Sequence, residues 1–170
     1  MLPAPIPAND NERLQALRDL LILDTPPEQR FDRIVEFAAS EFDVPVALLT
    51  LVDGNRQWFK ARFGIPICET ARDISFCGHA INGTEIFVVP DARVDERFVD
   101  NPMVINDPCI RFYAGAPLLM PSGHAVGTLC LIDRRARKLD KVDLSILSTL
   151  RDLVVQEMMN STSTPETQYE

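Results

Sequence analysis

The chain has 170 residues, 46% apolar and 25% charged, proportions that suit one globular domain with a full core. A formal net charge of -8 argues against a sequence-independent grip on nucleic acid or on an anionic membrane, either of which needs a clustered positive face. The N-terminus MLPAPIPAND has no basic start and no apolar core, and no apolar run approaches the roughly 20 residues of a membrane span, so neither a signal peptide nor a membrane helix is read and the expected location is the cytoplasm.

In that compartment Cys68, Cys77, Cys109 and Cys130 are expected as free thiols, and none forms a Cys-x-x-Cys pair. Residues 1–9 are proline-rich and residues 160–170 polar, so both are expected to be flexible ends around a domain over 10–159. There is no internal repeat of the length that marks a solenoid or propeller.

In chain order, Leu14, Leu17 and Leu21 recur at helical spacing behind Asn9 and Asp10, predicting a first helix over 10–21. Thr25-Pro26-Pro27-Glu28 has the form of a capping box, in which hydroxyl and carboxylate satisfy end N–H groups reciprocally and Pro26 takes the first helical position. Phe31, Ile34, Val35, Ala38 and Phe42 then share one face of a second helix.

VALLTLV and QWFKARF flank Asp53-Gly54-Asn55 and predict a hairpin; YAGAPLLM and AVGTLCLID around Pro121-Ser122-Gly123 predict another. Between them lie a short strand over 86–89, a short helix within 71–81 and a turn at 95–98. After RRARK, Asp140 and Asp143 open a last helix, whose stripe of Ile146, Leu147, Leu150, Leu153, Val154 and Met158 is wider than one sheet contact needs. This order predicts an α+β domain: an antiparallel sheet with its terminal helices on one face, and a pocket over the other face built mainly from residues 67–107.

The stretches ILDTPPEQRFD, LLTLVDGNRQWFK, ETARDISFCGHAI, VVPDARVDERFVDNPMV, IRFYAGAPLL and GTLCLIDR, in that order and spacing, resemble the GAF domains fused to bacterial diguanylate cyclases and sensor histidine kinases. The resemblance runs from about Glu12 to Val155. It implies a GAF-like fold with a six-stranded antiparallel sheet, a small-molecule pocket in those relatives that bind one, and a cyclase or kinase output domain in cis or in trans. It names no ligand or cofactor. The expected role is a sensory input module that relays a signal through its terminal helices and pairs with a second copy. The alternatives are a ligand-free dimerisation module with its cavity filled by Phe63, Phe76, Phe98 and Phe112, and a thiol-dependent methionine sulfoxide reductase using Cys68, Cys77 and Cys109.

The candidate pocket residues are Trp58, Ser75, Phe76, Cys77, His79, Asp91, Phe98, Arg111, Tyr113 and Thr128, with no catalytic or metal-ligating set. Cys77 and His79 lie two apart on a short helix, about 200° around its axis, so they do not face one ligand; Cys77 reads as a small buried residue and His79 as capping or lining. Gly78 separates the thiol from His79, whereas bilin-attaching GAF domains usually have cysteine followed directly by histidine. The cysteines and histidines also lack the tight spacing of structural zinc sites.

Strand alternation puts Arg111 and Tyr113 on one face and Phe112 on the other. A guanidinium beside a phenol suits an acidic ligand, but with aspartates plentiful in the segment the expected partner of Arg111 is Asp91, Asp95 or Asp107. Trp58 and Phe59 point to opposite faces, and Trp58 is either a ligand wall or core. Asp91, Phe98, Asn101 and Pro102 read as loop-fixing residues, and His124 as solvated. Val126, Thr128, Cys130 and Ile132 are expected on one face of their strand, and Thr128, the one polar side chain there, needs a backbone or ligand partner.

Overall fold

A computed structural model describes residues 1–160; the rest of the expected C-terminal linker lies outside the described residues. Helix α1 (Asp10–Asp19) starts where predicted and stops short of Leu21, which takes a left-handed φ of 55° and is 83% exposed, so Leu17 and Leu20 make the buried stripe instead.

Helix α2 (Gln29–Phe42) buries Phe31, Ile34, Val35, Ala38 and Phe42 as predicted. The capping box does not form. Glu28 occupies the N-cap without a side-chain bond to the helix, and the Thr25 hydroxyl donates to the Ile22 carbonyl at 2.5 Å. Both side chains are drawn to Lys60 Nζ, which lies 2.8 Å from Glu28 Oε2 and donates to Thr25 Oγ1 at 2.8 Å and to the Pro26 carbonyl at 2.5 Å. The Lys60 side chain is wholly buried, and a buried ammonium needs a counter-charge more than a helix end needs a cap.

The two predicted hairpins are β1 (Val46–Val52) with β2 (Arg56–Phe63), and β5 (Phe112–Leu119) with β6 (Ala125–Asp133). β1 and β6 pair centrally, and the edges are β3 (Glu69–Ala71) beside β2 and β4 (Phe87–Val89) beside β5, giving the antiparallel order β3-β2-β1-β6-β5-β4. β3 was not predicted; three residues are too few for a period-2 signal.

One face of the sheet packs under α1, α2 and α5 (Lys141–Asn160); the other carries α3 (Phe76–Ala80) and the middle segment. The strands are buried on both faces, so Leu49, Leu51, Trp58, Phe112 and Leu129 join the helix-side core while Leu48, Phe59, Tyr113 and Cys130 join the other. Two irregularities adjust this alternation. Between Leu49 and Thr50 the pairing skips Lys60, leaving an extra residue on β2 that brings Ala61 to the helix side. A second, between Pro117 and Leu119, corrects the expected face of Val126, which joins Leu129 and Leu131 rather than Cys130 and Ile132. At Gly127 a Cβ would fall 1.9 Å from the Thr50 carbonyl oxygen, so β6 approaches β1 here only because the position is glycine.

Helix α5 opens on the reciprocal bonds that α2 lacks: Asp143 N–H donates to Asp140 Oδ1 at 2.8 Å and Asp140 N–H to Asp143 Oδ2 at 3.0 Å. Its wide apolar stripe resolves into two. Leu147, Leu150, Val154 and Met158 are buried in the helix-side core, while Val142 and Leu153 are 65% and 42% exposed, with Ile146 partly buried between them. On the far face, α4 (Pro102–Ile105), capped by Asn101 Oδ1 accepting from Met103 N–H at 2.9 Å, was also not predicted. The N-terminal residues, expected to be flexible, are hydrogen-bonded to this segment through Leu2 N–H to Arg97 O and Ala4 N–H to Asp73 O. No helix among the described residues is long and apolar enough to cross a membrane.

Candidate functional site

Between the sheet and the middle segment lies a mainly apolar cavity, walled by Val46, Leu48, Phe59, Ile65, Phe76, Met103, Ile110 and Ile132. Cys77, Tyr113 and Cys130 form its floor, and Gln57 and Thr70 stand at one side. It offers about 20 Å³ to the centre of a water-sized molecule, which is room for about one water. Gln57 Nε2 donates to Thr70 Oγ1 at 2.7 Å, but Gln57 Oε1 is buried with no partner. An unpaired buried acceptor costs roughly 1–3 kcal/mol, and Gln57 is one of the residues that line the cavity.

The floor is a cluster of thiols and hydroxyls. Ser75 caps α3, donating to the Arg72 carbonyl at 2.6 Å and accepting from Gly78 N–H at 2.9 Å, and this sets Cys77 against β5 and β6. Cys77 Sγ accepts from Tyr113 Oη and Thr128 Oγ1, each at 3.1 Å, and lies 3.9 Å from Cys130 Sγ; Thr50 Oγ1 lies 3.9 Å from Cys130 Sγ in turn. Gly115 makes this possible, since a Cβ there would meet Tyr113 Oη at 2.2 Å and push the phenol off the sheet.

Burial alone would raise the Cys77 pKa, but hydrogen bonds from Cys130, Thr128, Tyr113 and Thr50 outweigh it and bring the thiol down to about 7. Cys130 and Tyr113 are pushed well up, first by burial, then for Cys130 by its hydrogen bond with Cys77 and for Tyr113 by the charge that Cys77 would carry. The floor therefore has one acidic thiol among neutral donors.

Of the residues singled out in the sequence, Phe76, Cys77 and Tyr113 line the cavity, and Thr128 supports it from β6 by donating to the Cys77 thiol. Ser75 acts as a helix cap. Trp58 belongs to the helix-side core, across the sheet from the cavity, because β2 turns Gln57 and Phe59 toward the cavity and the indole away.

Phe98 stacks on Phe76 with ring centroids 4.0 Å apart, behind the cavity wall. His79 packs edge-on to Phe98 at 4.7 Å and is half-buried; burial lowers its pKa, and its neighbours are the Leu2 backbone, Arg97 and Asp95 rather than the cavity. Arg111 donates to the Val104 and Ile110 carbonyls at 2.9 and 3.2 Å, not to an aspartate, since Asp91 and Asp95 are taken by Arg93 and Arg97. Asp91 also accepts from Arg93 N–H at 3.1 Å and fixes the turn over 92–94.

The proposed filling of the cavity by four phenylalanines does not hold, for Phe63 is exposed and Phe112 lies in the helix-side core. The three cysteines of the middle segment do not converge either: Cys68 is exposed and Cys109 partly exposed, and the partner that reaches Cys77 is Cys130. Gln57 and Cys130 were missed. The signal for both was strand phase, Gln57 being two residues from Phe59 and Cys130 two from Thr128.

Comparison with known proteins agrees with this architecture. The model of the GAF domain family matches residues 26–158, and the chain belongs to that family of sensory and regulatory modules found in signalling proteins. A cyclic di-GMP phosphodiesterase of Pseudomonas aeruginosa is 40% identical over 165 residues, covering 96% of this chain but only 28% of that protein. The GAF domain of a phosphoenolpyruvate-protein phosphotransferase from Coxiella burnetii superposes with a TM-score of 0.67 at 15% identity, over 92% of this chain and 98% of that one. A free methionine-R-sulfoxide reductase from Neisseria meningitidis, solved with its substrate, superposes with a TM-score of 0.64 at 15% identity, over 95% and 97% of the two chains. At such identities these structures share the fold with this chain.

Proposed function

We propose that this chain is a cytoplasmic sensory input domain: a small, largely apolar molecule with one N–H or O–H donor enters the cavity between sheet and middle segment, and its binding is relayed through the terminal helices. The observation that carries the reading is Gln57 Oε1, buried beside an apolar cavity without a partner, which a ligand donor would satisfy. With room for about one water, the cavity must expand to take such a molecule, by displacement of the segments that carry Ile65 and Met103 rather than of the sheet. Such movement would alter the packing that holds the domain together. The exposed Val142 and Leu153 on α5 supply the face for a second copy, and an output domain in cis or in trans, of the phosphodiesterase, cyclase or kinase kind, receives the change.

The test is mass spectrometry of the protein purified from cells, first under native and then under denaturing conditions. A dimer carrying extra mass that is lost on denaturation, and absent from a Gln57→Leu variant, is the expected result. A bare dimer from cells and after exposure to metabolite extracts would transfer the assignment to a ligand-free assembly module, which the small cavity favours as second reading. A Leu153→Glu variant is expected to be monomeric in sedimentation; persistence of the dimer would remove α5 from the interface.

A further inference from the structure

The floor of the cavity holds a chemistry that a noncovalent receptor does not use. Two thiols from elements 53 residues apart in sequence meet with their sulfurs 3.9 Å apart, in an interior where an ordinary apolar pair would pack equally well. Cys77 rides on a five-residue helix and Cys130 on a central strand, so α3 is the partner able to shift. Closing from 3.9 Å to the roughly 2.05 Å of a disulfide needs about 1.9 Å of travel, shared between χ1 rotation and a small movement of α3 into the adjoining cavity.

We infer that Cys77 and Cys130 form a reversible modification site, oxidised by a small hydroperoxide to an intramolecular disulfide. Cys77 and Cys130 both line the cavity, as does the half-exposed Ile67, so a molecule little larger than water can approach where a bulky oxidant cannot. The Cys77 thiolate attacks one peroxide oxygen: an S–O bond forms, the O–O bond breaks, and the departing oxygen takes up the proton that Cys77 released. Sulfur is oxidised to a sulfenic acid and the peroxide is reduced to water or an alcohol. Cys130 then attacks the Cys77 sulfur; the S–S bond forms, the S–O bond breaks, and the Cys130 proton leaves with the hydroxide as a second water. A dithiol reductant reverses the bond by thiol exchange.

Tyr113 and Thr128 are positioning residues, since their hydroxyls hold the attacking thiolate. The elements packed on α3 are β1, β5 and β6, and the groups they present to Cys77 are Thr50, Tyr113, Thr128 and Cys130, with no charged side chain among them. With a thiol titrating at about 7, the oxidation rate should rise about fivefold from pH 6 to pH 7 and less than twofold from pH 7 to pH 8. An ordinary thiol would gain close to tenfold at each step below its pKa.

The experiment treats the pre-reduced protein with hydrogen peroxide, blocks remaining thiols with iodoacetamide, and maps cross-linked peptides by mass spectrometry. Expected are a Cys77–Cys130 peptide, its loss on returning dithiothreitol, its retention in a Cys68→Ser/Cys109→Ser variant, and a dimedone-trapped sulfenic acid at Cys77 in Cys130→Ala. The wild-type map alone decides the matter if the alanine variant does not fold. Oxidation confined to Cys68 or Cys109, a cross-link between two chains, or Cys77 alkylated in full after peroxide would each overturn the assignment. None of these readouts depends on a pocket ligand, so this inference and the receptor reading stand or fall separately.

Discussion

Replacing Lys60 by methionine tests the account of how α2 is docked. Methionine keeps most of the stem volume and deletes the ammonium, together with its contacts to Glu28 Oε2, Thr25 Oγ1 and the Pro26 carbonyl. Removing one member of a buried ion pair costs roughly 3–5 kcal/mol when the other is left stranded. Here Glu28 is not stranded: its side chain is 40% exposed and keeps Arg30 at 2.9 Å, so it regains water. What remains uncompensated is the Thr25 hydroxyl, which keeps Ile22, and the Pro26 carbonyl, at about 1 kcal/mol each with some lost packing.

The expected loss is about 2–3 kcal/mol, read as a lower urea midpoint by circular dichroism and a fall in Tm of about 4–12 °C for a chain of this size. Glu28→Gln, which leaves the buried cation facing neutral acceptors, should also destabilise, and the double variant should cost less than the sum of the two by about 1 kcal/mol or more. A Lys60→Met protein within about 0.5 kcal/mol of wild type, or strict additivity, would refute the claim that the pair replaces the capping box.

Asp10 bridges two buried guanidinium groups, Arg13 at 2.8 Å and Arg72 at 2.7 and 3.0 Å, and Arg13 continues to the Val52 carbonyl at 2.8 Å. Burial raises its pKa, but the bonds and charges of Arg72 and Arg13 more than offset this and hold it below the ordinary carboxylate value. Stability from Asp10 is therefore present in full above the unfolded value near pH 4 and lost as pH falls through the lower folded value; the urea midpoint of wild type should drop over that acid range more steeply than that of Asp10→Asn. Gly127→Ala would set its Cβ 1.9 Å from the Thr50 carbonyl oxygen and 2.9 Å from Leu51 Cα, backbone that cannot step aside at the centre of the sheet. A cost above about 4 kcal/mol is expected, seen as lost soluble yield or Tm, whereas Gly83→Ala, with open space around it, should stay within about 0.5 kcal/mol.

What the sequence determined by itself is what local periodicity encodes. Phe31 through Phe42 write one face of α2, the turn residues at 53–55 and 121–123 write both hairpins, and alternation separates Phe112 from Tyr113 and Trp58 from Phe59. Because a strand buried on both faces is apolar on both, periodicity separates the faces without saying which one meets the helices, so Trp58 reads equally as a ligand wall or as core until the fold places it in the helix-side core.

Only the tertiary structure decided the partnerships that cross the fold. Thr25 and Glu28 satisfy a capping motif locally, yet a buried ammonium 32 residues further on claims Glu28, because desolvating a charge outweighs leaving a helix end to other partners. Cys77 and Cys130 carry no mutual signal across 53 residues, and their meeting depends on a helix cap at Ser75, a glycine at 115 that lets Tyr113 lie along the sheet, and the strand phase at Thr128. The size of the cavity follows from how closely the middle segment settles on that floor, a sum of many weak contacts between elements far apart in the chain.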